Sequence, residues 1–563
     1  SNQLQPIKAR IEVGGLSQLN GLSPVQSWFF TLPLEQRSHW NQITLLQLKQ
    51  PISGSVLSAV CTALVQRHSE LCLQFLEKDN VWSQQTQALT HNVAFMHDDV
   101  GENASKEAIV TCINHLQADI NITSGEVFRA DYFKREHEED VLCLTAHHLV
   151  VDRVSWQIII DDLFKLVQLH EAGSELALPE KSIPFVYWAN THLSLTAMPV
   201  KTVAAGLQWQ PKSGVNVEQD SHYSAAQLPK GLTQQLAQAN ESYHTKTQEL
   251  LTVALVMACL AEEQAQSLAL TIEHHGREDA TGLDLNSTVG WFTALSTTTF
   301  SLPDSTDLGD VIKSLKEQCR QSIPSQQSTL NHVGVPLLAQ MSLNYFGSSS
   351  TSQAPYDTIS DWPIIERGLK NARPFLIDWV ASIHQGQLTL VSAFSTQQFE
   401  TRWIESLLDR VIQNLSTVIE YCLQKNNAGL TPSDLPWLDI HQSDLDRIVT
   451  ANTQSLIPLT TLQSGLIFQR LKEPEAAHYQ QKILFRLKQP FDLTNFKYAW
   501  KHTLQQYDIL RSHVTFELDS RPLLSVQKQC GLIWDVENVN PNLSTADDII
   551  QSWMADNSTL PLD

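Results

Sequence analysis

Two adjacent histidines, His147 and His148, close an apolar run of β type over residues 141–146, and Asp152 follows the second at a spacing of four. Histidine is the side chain whose ordinary pKa lies nearest neutrality, so the pair suits proton transfer. Neighbouring side chains on a strand point to opposite faces, so both rings cannot face one substrate. One histidine is therefore expected to be chemical and the other structural. A metal is disfavoured because no Cys-x-x-Cys or His-x3-His partner lies nearby. A carboxylate, Glu273, follows the apolar stretch 268–272 and precedes His274, His275, Gly276 and Arg277.

Rigid elements must hold such groups. Residues 43–48 alternate as a strand, while 56–68 carry helical apolar spacing with Val60, Leu64 and Val65 on one face. Residues 127–133 and 141–146 predict paired strands leading into the histidines. After Asp152, the spacing of Ile158, Ile159, Leu163, Phe164 and Leu166 predicts a helix to about His170 that stops near Gly173. A strand-to-helix corner lets a polar side chain face a cleft from a fixed backbone. Further on, Thr245-x-x-Gln248 reads as a capping box for a helix reaching Leu260. Residues 268–272 then predict a strand that delivers Glu273 at its C-terminal end. Residues 385–393 predict another strand, and 401–422 a closing helix with Leu407, Leu408, Val411, Ile412 and Leu415 apolar. Residues 190–244 read as polar and irregular. The mixture fits an α/β sandwich.

With 563 residues, the chain is too long for one compact core. No apolar run reaches the ~18 residues of a membrane span, and no N-terminal signal pattern is present. A net charge of −22 argues against nucleic acid, which needs a basic patch. Eight cysteines, scattered in apolar segments, read as free thiols of a reducing compartment, and the cytoplasm is the expected location. Gly14-Gly15 lacks the strand–loop–helix context of a phosphate site. Residues 425–436, with Asn-Asn-Ala-Gly and then Pro and Ser, form the best linker. Beyond it the chain repeats itself: Gln463 follows Gln26 by 437 residues, and Leu487-Lys488-Gln489-Pro490 follows Leu48-Lys49-Gln50-Pro51 by 439. The second copy stops at Asp563, before any His-His pair, and is expected to carry no catalytic site.

The stretch from His147 to Trp156 resembles the His-His-x3-Asp-x-x-Ser signature of nonribosomal peptide synthetase condensation-type domains, and Trp156 points to the epimerization branch. Five more stretches resemble that family in its order: Ser23 to Phe29, Thr247 to Cys259, Glu273 to Glu278, Thr288 to Thr293, and Leu343-Asn344-Tyr345-Phe346-Gly347. The resemblance implies a two-lobed chloramphenicol-acetyltransferase-like α/β fold with a cleft between lobes, plus a partial second α/β lobe at the C-terminus. It implies an N-terminal linker (1–19), an epimerization-domain N-lobe (20–190), a lobe connection (191–244), a C-lobe (245–424), an interdomain linker (425–455), and part of the N-lobe of a following condensation domain (456–563). The implied activity is L-to-D epimerization at Cα of an aminoacyl or peptidyl thioester. The substrate rides on the 4'-phosphopantetheine of an upstream peptidyl carrier protein, with no other cofactor, no metal, no nucleic acid and no membrane. A downstream condensation domain is the other implied partner.

A thioester acidifies the α-proton, and an epimerase needs a base on one face of Cα and an acid on the other. The resemblance assigns these roles to His148 and Glu273, without saying which group acts in which direction. His147 is expected to be structural. Asp152 caps the helix and pairs with a buried Arg, holding the His loop. Ser155 caps the helix or meets the pantetheine arm; capping is favoured. Asn344 and Tyr345 line the tunnel or pack in the core, and Tyr345 is a candidate donor to the enolate. Trp291 and Phe292 wall off a competing acceptor or pack in the core.

Three departures bear on activity. Arg153 stands where the epimerization pattern has Gly, His274 replaces Gly after the candidate Glu, and Ser287 replaces Arg before Thr-Val-Gly-Trp-Phe. The usual Tyr-Pro after Thr293 is also missing. A long cation at 153 can depress the His pKa, block the tunnel or pair with a carboxylate. Two further functions therefore stand beside the working epimerase: an inactive epimerization-type domain kept for carrier docking and spacing, and a peptide-bond-forming condensation domain.

Overall fold

The computed structural model describes residues 21–97, 105–135, 138–179, 183–195, 209, 211–277, 283–322, 339–349, 354–424, 429–473, 479, 481, 483–485, 487, 492–516, 522–532, 534, 536 and 545–555. The predicted N-terminal linker, Glu278 and the start of the predicted 425–436 linker lie outside them. The chain divides into two units: Ser1–Gln235 with Leu251–Asp304 and Gln318–Thr417, and Leu236–Leu250 with Ser305–Glu317 and Val418–Asp563.

The first unit is built on two mixed sheets. The strand Val141–His147 is buried at every position, as a continuous apolar run requires. It pairs antiparallel with Asn41–Leu48 on one side and Phe128–Phe133 on the other. Tyr356–Ile359 and Ala94–His97 complete this five-stranded sheet at its edges. The helix Gly54–Arg67 buries Leu57, Val60, Cys61, Leu64 and Val65 in the main core, alongside Ile159, Leu163 and Leu166 of the helix Arg153–Glu171.

The second sheet has six strands, in the order Ser221–Gln227, Gln387–Ser395, Ile377–His384, Met341–Ser349, Ser267–His274 and Ala294–Ser301. Met341–Ser349 runs parallel to both its neighbours, with Leu343 opposite Ile272. The next residues along each strand are Asn344 and Glu273. A bulge interrupts the strand between Tyr345 and Ser348, where Gly347 takes a φ of 76°.

Two expectations change. Residues 190–244 hold a strand, Ser221–Gln227, and a helix, Lys230–Tyr243, as well as irregular chain. The strand reads as polar because it is an edge of the sheet, bonded on one side to Gln387–Ser395. The next helix begins at Thr247, and the Glu249 carboxylate reaches back to the Lys246 N–H at 2.8 Å. That replaces the Thr245–Gln248 box.

The second unit contains a three-stranded sheet of Thr453–Pro458, Leu523–Gln527 and Ser512–Thr515. Leu435, Leu445, Ile448, Leu456 and Leu523 form its small core. Lys316 is fully buried and bonded to Asp434 Oδ2 at 2.5 Å and to the carbonyls of Tyr243 and Gly429. The repeat extends to local structure. Ser23 and Gln26 close a capping box on the helix Pro24–Thr31, and Thr460 and Gln463 close one on Thr461–Lys472. The helices Gly54–Arg67 and Leu493–Gln506 both have 14 residues, and each leads into a 3-10 turn and a strand.

Candidate active site

His147 uses both ring nitrogens for structure. Its Nε2 bonds the Arg37 carbonyl at 3.0 Å, its Nδ1 accepts from the Leu149 N–H at 3.1 Å, and its ring meets Phe29 edge-on. Burial pushes its pKa down to about 3.

His148 turns the other way. Its Nδ1 lies 2.9 Å from the Val151 carbonyl. A carbonyl only accepts, so Nδ1 carries the proton and Nε2 of the neutral ring is a lone pair. Gln42 Nε2 lies 3.0 Å from that nitrogen, and the Trp291 ring lies 4.3 Å from the imidazole, tilted by 33°. Burial, then the Arg367 charge, pushes His148 down to about 4, against favourable contributions from the Val151 carbonyl and Asp152.

Glu273 sits near the end of its strand, opposite Leu295. Asn344 Nδ2 donates to its Oε2 at 2.6 Å, across the parallel pair. Burial and the Asp378 charge push Glu273 up to about 7, against Arg367 and the Asn344 bond. His148 and Glu273 are both half-buried by exposure, yet loss of water is the largest influence on each. The guanidinium of Arg367 acts on both. It stacks 4.4 Å over Trp40, pairs with Glu218 at 3.0 Å, and is anchored by a backbone bridge to Trp40, whose carbonyl accepts the His148 N–H.

The loop that carries His148 is locked to two other motif stretches. Asp152 caps the helix Arg153–Glu171 by accepting from Ser155 N at 2.7 Å. Its carboxylate also pairs with Arg277 at 3.0 Å and accepts from Phe292 N at 3.2 Å. Arg277 Nη1 donates to the carbonyls of Leu285 and Thr288, and the guanidinium lies 4.1 Å over Phe292. The Ser155 hydroxyl does not cap the helix: it donates to the Gly290 carbonyl at 2.9 Å and accepts from the Gly290 N–H. Gly276, at φ 64°, passes so close to the Phe292 carbonyl that a Cβ would lie 1.8 Å from its oxygen.

The remaining candidates separate. Phe292 is 1% exposed and packs on Phe185 and Trp188, as the core-packing alternative requires; Trp291 is 3% exposed and touches His148. Strand alternation puts Tyr345 on the face opposite Asn344, and His274 on the face opposite Glu273. His274 bonds the Ser296 hydroxyl at 2.7 Å. Arg153 forms no carboxylate pair among the described residues. Its Nε donates to the Phe346 carbonyl at 3.2 Å, in the bulged strand, and its guanidinium lies 4.9 Å over the Phe346 ring. Gln42, Arg367 and Asp378 escaped the sequence reading. Their proximity comes from strand register and a long irregular segment, and no local pattern marks them. The buried Arg expected to pair with Asp152 is Arg277, which the sequence placed in the Glu273 stretch without naming it as that partner.

A model of the condensation-domain family matches residues 18–435 and again 453–563. One of the linear gramicidin synthase proteins of Brevibacillus parabrevis is 28% identical over 524 residues, covering 87% of this chain and 10% of that protein. Bacitracin synthase 3 of Bacillus licheniformis is 24% identical over 535 residues, covering 89% of this chain and 8% of that protein. The chain thus spans about a tenth of such relatives or less. Among solved structures, the epimerization domain from the third module of tyrocidine synthetase B aligns with a TM-score of 0.63 and 24% identity, over 72% of this chain and 97% of that one. The X-domain from teicoplanin biosynthesis aligns at 0.55 and 16%, over 71% and 95%. At these identities the likeness is one of fold, and it agrees with the mixed α/β architecture above. No helix among the described residues is long and apolar enough to cross a membrane. Fold, ordered motifs and a double match to one family agree: the chain belongs to the condensation-domain family.

Proposed function

We propose that the chain epimerizes the Cα of an aminoacyl or peptidyl thioester held on the phosphopantetheine arm of a carrier protein in nonribosomal peptide synthesis. The observation that carries this reading is a neutral imidazole with an unprotonated Nε2, beside a carboxyl group poised near neutrality, with one guanidinium acting on both. In one direction, the Gln42 amide N–H gives up its bond to His148 Nε2, that nitrogen takes the α-proton, and the C–H electron pair passes to the thioester oxygen as an enolate. The protonated Glu273 then gives its proton to the opposite face of Cα. The pair ends as imidazolium and carboxylate, which serves the reverse direction or resets by exchange with water. Arg367 offsets the negative charge of the enolate.

Both directions need the pair to hold one proton in total. Exchange should therefore follow a bell-shaped pH profile with limbs near the two values, about 4 and about 7. We further assign residues 20–190 and 245–424 to the lobes of this domain. Residues 456–563 are assigned to the start of a following condensation domain without a site of its own. An upstream carrier and a downstream condensation domain are the partners, in the cytoplasm.

Solvent deuterium incorporation at Cα of a carrier-bound thioester tests the reading. Incorporation in the wild type that falls in both His148→Ala and Glu273→Ala supports it. Amide formation with an acceptor-loaded carrier, without Cα exchange, would replace it with condensation. Carrier binding with neither reaction would leave a docking module.

A further inference from the structure

Trp156 follows the serine of the histidine motif, and the role given to His148 and Glu273 leaves it without a task. It sits in the first turn of the helix Arg153–Glu171 and is 8% exposed. Its indole Nε1 donates to Gln42 Oε1 at 2.9 Å. An indole nitrogen is a donor and nothing else. The Gln42 oxygen must therefore face Trp156, and the amide NH2 must face His148 Nε2, 3.0 Å away. At the other end of the ring, the Val151 carbonyl holds the proton on Nδ1. Four groups thus form one directed chain: indole N–H to amide oxygen, amide N–H to imidazole lone pair, imidazole N–H to carbonyl.

We propose that Trp156 and Gln42 form a relay that fixes the tautomer and the charge state of His148. The relay is directional. A protonated His148 would aim an Nε2–H at the amide N–H of Gln42, donor against donor. A free glutamine would turn its amide over and offer oxygen instead. Here that turn would put the NH2 against the Trp156 N–H, so the indole forbids it. Trp156 therefore makes the imidazolium costly without touching the ring.

The other groups around His148 act independently of this device. Arg367 from the segment bonded to Trp40 disfavours the charged ring, Asp152 at the helix start favours it, and the neighbouring His147 is neutral. Trp291 contributes a ring 4.3 Å away, tilted by 33°, and an indole carries no charge. The catalytic meaning of the relay rests on the epimerase reading. There it keeps the resting ring unprotonated, and in the reverse direction, where His148 is the acid, it makes the imidazolium a strong proton donor to the enolate. Gln42 and Trp156 are positioning residues, since neither carries the proton.

The test reads the ring itself. In the full chain labelled with 15N-histidine, wild-type His148 should show a protonated Nδ1, a bare Nε2, and no titration above pH 5. Gln42→Glu keeps an acceptor for Trp156 and gives Nε2–H an anionic partner. It should raise the His148 pKa by more than about one unit. Trp156→Phe frees the amide to turn and should raise it by a smaller step. The acid limb of the exchange profile should move with the ring in both variants. A wild-type Nε2–H tautomer, or a His148 titration unchanged in both variants, overturns the relay. Absent Cα exchange together with the expected titrations would remove the epimerase reading and leave the relay standing.

Discussion

At neutral pH His148 is an imidazole with its proton on Nδ1, and Glu273 is divided between carboxyl and carboxylate. The Asn344 bond favours the carboxylate, so losing it must move Glu273 upward. Asn344→Leu should shift the alkaline limb of the exchange profile to higher pH by about one unit, leaving the acid limb in place. His147 gives a stability prediction. Its folded pKa, about 3, lies below the unfolded value near 6.5, so the unfolded chain binds the extra proton. Its contribution is whole above pH 6.5 and is lost as pH falls toward 3. His147→Gln should flatten that part of the stability profile in denaturant melts at graded pH. The histidine pair and Glu273 stood out in the sequence because their types are rare beside apolar strands. Gln42 did not, because one glutamine in an alternating strand looks like any solvated side chain until Gln42 is seen opposite Ala146, beside the histidines.

Among the elements, the helix Arg153–Glu171 is the one whose start matters most. Asp152 holds its first turn, the Arg277 guanidinium and the Phe292 amide at once, with both charged side chains 7% exposed. Asp152→Ala strands Arg277 as a buried charge and should cost about 3 kcal/mol or more in urea denaturation. Asp152→Asn keeps an acceptor for Ser155 N and should cost less. Arg153 is different, being exposed and bonded to one carbonyl. Arg153→Gly should change stability by no more than about 1 kcal/mol and leave Cα exchange intact. A gain of exchange from none would mark the native chain as inactive. The helices and most strands of the first unit were legible because their faces are apolar at fixed periods. Ser221–Gln227 and Lys230–Tyr243 were not: an edge strand buries little, and the helix is polar around most of its girth.

For the whole molecule, the groups described above as acting on His148 and Glu273 lie within the first family match, residues 18–435. A chain ended after Asn452 keeps Lys316 with Asp434, Tyr243 and Gly429, and should retain Cα exchange at an undiminished rate. Loss of exchange, with the fold intact by circular dichroism, would show that the second copy contributes to the site. The repeat was readable from short echoes such as Leu-Lys-Gln-Pro. The division into two units was not, since the second unit draws on Leu236–Leu250 and Ser305–Glu317 as well as the end of the chain. The knot of Asp152, Ser155, Arg277, Gly290 and Phe292 also has a bearing on protein engineering. Each of three distant stretches supplies half of a bond whose other half lies in another. A graft that moves only the histidine stretch or only the glutamate stretch into a related scaffold would import orphaned donors along with the desired group. The smallest transplantable part is therefore all three stretches together, and recombination breakpoints placed between them should yield poorly folded chimeras.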